Sequence, residues 1–127
     1  MENKLRNDKE LKVMNKDQIE RYIENNKEYV FNEVSKIFNK EINIQNFNGI
    51  IGGKNFTYNV KPENYSTAKE YVEAWFKSFN IIYQKEKNYP EEKSSHRIYK
   101  LLQNPNIKEF ISIYLTRTYL RKTNKYN

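Results

Sequence analysis

A helix-rich α+β fold is what the sequence predicts: an N-terminal helix, a small β-hairpin or meander, then three helices packed on it. Two patterns and a length carry the prediction. Apolar residues recur at three-and-four spacing over about 17–39, 68–83 and 105–122, the period of an amphipathic helix. Between 41 and 60 they alternate around glycine-containing turns, the period of a strand. The 127 residues suit one domain with a modest core. That domain is expected over 15–122, between a flexible or weakly helical arm (1–14) and a short tail (123–127).

The arm carries Leu5, Leu11, Val13 and Met14 scattered among charges, with no period. The first helix then places Ile19, Tyr22, Ile23, Val30, Val34 and Ile37 on one stripe, with Asn15 or Asp17 available as N-cap. Next, Ile42 and Ile44 alternate with polar residues, as do Phe56, Tyr58 and Val60. Asn48-Gly49 and Gly52-Gly53 supply turns between them, which reads as a hairpin lying on the helices.

Lys61-Pro62 ends the second strand, and Thr67-Ala68-Lys69-Glu70 fits a capping box that opens a helix. Tyr71, Val72, Trp75, Phe76, Phe79, Ile82 and Tyr83 cover its broad apolar face, so Trp75 and Phe79 are expected at the centre of the core. Asn88-Tyr89-Pro90 breaks the chain, and Glu91 and Glu92 are expected in the first turn of a third helix that runs to about 103. Asn104-Pro105 reads as N-cap and N1 of a fourth, packed on the third as an αα-hairpin or helix-turn-helix-like corner.

Composition narrows the functional classes. No cysteine and one histidine exclude disulfides and thiolate metal sites, so neither a metal nor a cofactor is expected. No stretch approaches the roughly 20 apolar residues of a membrane span, and no signal-peptide core is present, so a soluble, cytoplasmic protein with no membrane partner is expected. Phe, Tyr, Ile, Asn and Lys make up 68 residues, against five arginines. This is the mark of a low-GC genome, in which lysine accumulates without selection for anion binding. The location of charge is therefore more informative than its total.

Residues 1–92 hold 15 basic and 15 acidic groups, whereas 93–127 hold eight basic groups against Glu109 alone. The entire net charge of +7 thus lies in the last 35 residues. Drift in codon usage does not sort acids from bases, so an anionic partner at the C-terminal end is expected. On the third helix, Lys93, His96, Arg97 and Lys100 fall within an arc of about 100°, opposite Ile98, Tyr99, Leu101 and Leu102. On the fourth, Ile107, Phe110, Ile111, Tyr114 and Thr118 form the inward stripe, and Arg117 and Arg121 continue its flank with Lys122 beside them. Interleaved arginine and tyrosine suits phosphate contact and base stacking. The candidate binding residues are therefore Lys93, His96, Arg97, Lys100, Tyr114, Arg117, Arg121 and Lys122.

No catalytic signature competes with this. Ser94, Ser95 and His96 are adjacent on one helix and point apart, with no acid placed to orient the imidazole. Glu20, Glu24 and Glu28 recur every four residues, but Lys16, Arg21 and Lys27 turn them into a salt-bridged solvent face. The expectation is a small, basic, non-enzymatic accessory protein that binds DNA or RNA through its C-terminal helix pair. The alternative is a phage or mobile-element inhibitor, of the anti-defence or anti-CRISPR-like kind, that binds a host nucleic-acid enzyme directly.

Overall fold

Five α-helices and one 3-10 turn form the computed structural model over the residues it describes, 14–52, 60–89 and 94–126. In chain order they are α1 (Lys16–Phe38), α2 (Ile44–Ile51), the 3-10 turn Pro62–Asn64, α3 (Ala68–Glu86), α4 (Ser94–Leu102) and α5 (Pro105–Lys122). The α+β expectation is overturned, because no strand occurs among the described residues.

The first half of the expected hairpin is α2. Asn43 caps it reciprocally with Asn46: each side chain accepts the other's backbone N–H, at 3.0 and 2.7 Å. Ile44, Phe47, Ile50 and Ile51 then follow helical spacing, with Phe47 and Ile51 fully buried. A type I′ turn at Asn48-Gly49 would need positive φ, and no glycine for which a conformation is described has it. The alternation at Ile42 and Ile44 was two residues long, too short to outweigh a capping box. Of the second expected strand, Phe56 and Tyr58 lie outside the described residues, as does the turn residue Gly53, while Val60 is described and is in no strand.

The remaining helices begin where their capping residues stand. Asn15 and Gln18 form a capping box on α1, and Asn39 closes that helix in the left-handed region at φ 57°. Thr67 accepts the Glu70 N–H at 3.1 Å, while the Glu70 carboxylate takes the N–H of Ser66, one residue before the cap. Asn104 caps α5, with Pro105 at its first position. Glu91 and Glu92 lie outside the described residues.

What organises the bundle is α5. It packs against α1, α3, α4 and the 3-10 turn, and its buried residues Ile107, Phe110, Ile111, Ile113, Leu115 and Tyr119 point in all directions around the axis. A helix that is apolar all round belongs inside. Its hydroxyls are satisfied within the helix: Thr116 Oγ1 donates to the Ser112 carbonyl at 2.9 Å and Thr118 Oγ1 to that of Tyr114 at 3.1 Å. The expected single inward stripe was too narrow; Ile113, Leu115 and Tyr119 were the signal of a central helix.

Around α5 the other helices contribute one face each. Ile19, Ile23, Val30 and Val34 come from α1, Phe47 and Ile51 from α2, and Trp75 and Phe79 from α3. Trp75 is buried and its Nε1–H donates to the Ile51 carbonyl at 3.1 Å, which closes the last turn of α2 against α3. The rings of Phe31, Phe47, Phe110 and Tyr114 form a cluster with centroids 5.1–6.5 Å apart.

Candidate nucleic-acid interface

The basic residues of the last two helices separate into two clusters of different character. The first surrounds Glu20 of α1. Arg117 Nη1 donates to Glu20 Oε1 at 3.0 Å, and Arg121 Nη2 to Oε2 at 3.3 Å. The hydroxyl of Tyr126, brought back by the chain after α5, donates to the same Oε2. The Arg117 guanidinium also lies over the Tyr114 ring at 5.3 Å, and that of Arg121 over the Tyr126 ring at 5.5 Å.

Arg117 is buried to 9% exposure, so it needs this partner; an uncompensated charge at such a position is expensive. Partial burial acts to raise the pKa of Glu20, but the Tyr126 hydrogen bond and the charges of Arg117 and Arg121 outweigh it and hold the carboxyl below its ordinary value. Burial pushes the Tyr114 phenol up, against the opposing pull of the same arginines. Its hydroxyl donates to Asn48 of α2, so the tyrosine joins α5 to the helix that replaces the expected hairpin.

The second cluster is on α4. Ser95, Ile98 and Leu101 face inward, and the side toward solvent carries His96, Lys100 and Gln103, with Tyr99 and Arg97 on its two edges. Lys93 lies outside the described residues. Arg97 is half-buried and its guanidinium sits over the Phe38 ring at the C-terminal end of α1, 5.6 Å from the centroid. Lys100 is exposed. His96 Nε2 lies 2.7 Å from the Glu86 carbonyl oxygen; because that oxygen only accepts, Nε2 carries the proton. Ser95 Oγ donates to the Glu86 carboxylate. Serine and histidine are thus two clamps that hold α4 to the last turn of α3, an arrangement without a nucleophile–base pair.

Tyr99 corrects the expected inward face of α4. It is 39% exposed and stacks on Tyr83 of α3, with centroids 4.1 Å apart and planes 2° from parallel. The His96 ring meets the same Tyr83 edge-on at 5.9 Å.

The eight candidate residues therefore do not share one surface. Glu20 and Phe38, the α1 residues that receive α5's arginines and α4's Arg97, stand 18 positions apart on one helix, about 27 Å along its axis. Arg117, with Tyr114 beside it, and Arg121 gather at the Glu20 end, whereas His96, Arg97 and Lys100 lie on α4, with Arg97 against Phe38 at the other end. Lys122 is exposed on the last turn of α5. Glu20 and Tyr126 complete the first cluster: Glu20, expected on a solvent face among the cations of its own helix, pairs with the arginines of α5, and Tyr126, 106 positions away, had no signal in sequence spacing.

Other chemistry is not assembled. No group of three or more metal-ligating side chains occurs among the described residues. Of the three α1 carboxylates spaced four residues apart, Glu20 is held by α5 and Glu24 pairs with Lys27 at 3.0 Å. Glu28, with Phe31, Ser35, Glu41 and Ile42, lines an open groove of about 410 Å³ whose walls mix both signs of charge. No described helix is long and apolar enough to cross a membrane. No family model matches the chain, and no curated protein or solved structure shows significant similarity to it.

Proposed function

We propose that the protein is a non-enzymatic nucleic-acid-binding accessory protein whose phosphate contacts come from α4 and the adjoining end of α3. One observation carries this reading. The solvent side of α4 presents an exposed Lys100 between half-buried His96 and Arg97, with no acidic residue anywhere on the helix. The end of α3 that it clamps adds exposed Lys85 and Lys87, and the carboxylate there, Glu86, is turned toward Ser95. Net positive charge on one helical face, with a polar partner at its edge, is the electrostatic footprint of phosphate binding. The arginines of α5 have a different task, since Arg117 and Arg121 already hold a carboxylate.

Fluorescence anisotropy with labelled single-stranded RNA, single-stranded DNA and duplex DNA, at about 50 and 200 mM salt, tests the reading. The expected result is submicromolar affinity for at least one probe at the lower salt, with a steep loss at the higher. Arg97→Glu combined with Lys100→Glu is expected to weaken binding and flatten the salt slope. Absence of binding to every probe overturns the reading.

A further inference from the structure

We infer that Tyr99 is the outer plane of a stacking site for an unpaired base, so that the ligand of this face is single-stranded nucleic acid; the inference rests on the nucleic-acid reading above. The geometry begins in the core. Trp75, Phe79 and Tyr83 stand four residues apart along α3, one above the other on the same face. Their planes are near parallel: 12° between Trp75 and Phe79 at 6.0 Å, and 21° between Phe79 and Tyr83 at 6.2 Å. Tyr99 of α4 continues the series, 2° from Tyr83.

Burial falls steadily along this column. Trp75 is 1% exposed, Phe79 3%, Tyr83 half-buried and Tyr99 39%. A stacked aromatic series that runs from a packed core to water ends in a ring already fixed in orientation. Tyr83 is itself fixed from two sides, by Phe79 and by the edge of His96, and His96 is tied to the Glu86 carbonyl. The terminal ring thus loses little freedom when another plane is added, which is the condition for favourable stacking.

The surroundings specify what that plane belongs to. Lys100 follows Tyr99 on the exposed side, and Gln103, one turn on, donates through Nε2 to the Tyr99 carbonyl at 3.2 Å. A flat aromatic ligand flanked by negative charge fits a fixed ring beside a lysine, and a nucleotide has both parts. Bases in a duplex have both faces occupied by their neighbours, whereas an unpaired base offers one to a side chain.

The experiment compares three labelled probes of equal phosphate number, about 24 nucleotides each: a single strand with bases, the same strand made abasic, and a duplex of about 12 base pairs. Wild-type protein is expected to favour the base-bearing single strand over both others. Tyr99→Leu, which keeps apolar volume on Tyr83 but removes the ring, is expected to lower that affinity about 5- to 150-fold, to the abasic level, without changing the salt slope. Tyr99→Phe is expected to retain wild-type binding. Circular dichroism of each variant checks the fold, and Tyr99→Phe and Tyr99→Leu keep the contact with Tyr83 filled. Equal wild-type affinity for the base-bearing and abasic strands, unmoved by Tyr99→Leu, overturns the stacking site while leaving phosphate binding in place. Failure to bind any of the three overturns both readings.

Discussion

The two ends of the helical bundle treat positive charge in opposite ways. At the N-terminal end of α1, two arginines from α5 converge on one carboxylate; each guanidinium lies over a tyrosine ring, with Arg117 buried and Arg121 exposed. At the C-terminal end, Lys100 of α4 is exposed, and the half-buried Arg97 lies over the Phe38 ring. The same residue types therefore perform two tasks. In one place they hold a carboxylate and order the protein; in the other they form the face proposed above to meet a ligand. The difference follows from the two helices' positions: α5 is surrounded by its neighbours, and α4 has one face in solvent. A charge on a central helix needs an internal partner, whereas a charge on a peripheral helix does not.

The largest expected effect breaks the internal end. Arg117→Glu sets a second carboxylate against Glu20 in a half-buried site and is expected to destabilise the fold by roughly 3–5 kcal/mol, measured by urea unfolding. Glu20→Gln is expected to cost less, because its carboxylate side chain is 39% exposed and water screens part of the loss. A double Arg117→Glu, Arg121→Glu variant accordingly reads out folding before it reads out binding.

The same cluster sets a pH dependence. The carboxyl of Glu20 is held below its ordinary value in the folded protein, so between the unfolded and folded pKa the unfolded chain binds the extra proton. Its contribution is thus complete above the ordinary carboxylate range and is lost as pH falls through the folded value. Tyr126 acts at the other limit. Burial and its bond to Glu20 raise the phenol's pKa, so that contribution is present below the ordinary tyrosine value and is lost as pH rises through the folded one. Denaturation midpoints measured across pH are expected to flatten at both limits in Glu20→Gln and in Tyr126→Phe; in Tyr126→Phe the acid-limit flattening is only partial, because Arg117 and Arg121 still lower the Glu20 pKa.

At the exposed end the effects of substituting Lys100 are expected to fall on affinity and not on stability. Lys100→Glu is expected to leave unfolding within about 0.5 kcal/mol of wild type, as for most surface substitutions. Its effect on nucleic-acid affinity is expected to be about tenfold at low salt, with the salt slope reduced by roughly one contact. Arg97→Glu is expected to show both losses, since its guanidinium also covers Phe38. A Lys100→Glu variant that unfolds easily would remove the contrast between the two ends.

Much of the fold is legible where local rules and burial agree. Asn15, Thr67 and Asn104 mark helix starts by side-chain chemistry, and the Trp75–Phe79 face is apolar enough to be read as core directly. The candidate site is only half legible, because sequence periodicity gives direction around a helix but not what lies opposite. Arg117 lies on the same flank as a solvent-facing arginine would, and only the packing of α1 beside α5 turns it inward. Tyr99 reads as core by its flank on α4, yet the ring that receives it comes from another helix at the surface. Long-range pairs such as Glu20 with Tyr126 leave no local trace, whereas α2 leaves one: Asn43 and Asn46 stand at capping-box spacing, in conflict with the turn signal of Asn48-Gly49.

That last conflict gives the smallest expected effect and the most direct test of the region the two readings divide. In α2, Gly49 is exposed, has no positive φ, and a Cβ added there meets nothing within 4 Å. Alanine restores helix propensity and reduces the freedom of the unfolded chain, so Gly49→Ala is expected to stabilise the protein by about 0.5–1 kcal/mol. In a type I′ hairpin turn the same substitution would force a Cβ into positive φ and would destabilise by a similar amount or more. The sign of the change in thermal midpoint therefore decides between helix and hairpin, and helix here is also what places Asn48 under the Tyr114 hydroxyl. A stabilised Gly49→Ala variant with Asn48→Ala weakening that gain would tie α2 to the central helix, the framework against which α1 holds its arginine cluster at one end and α4 presents its open face at the other.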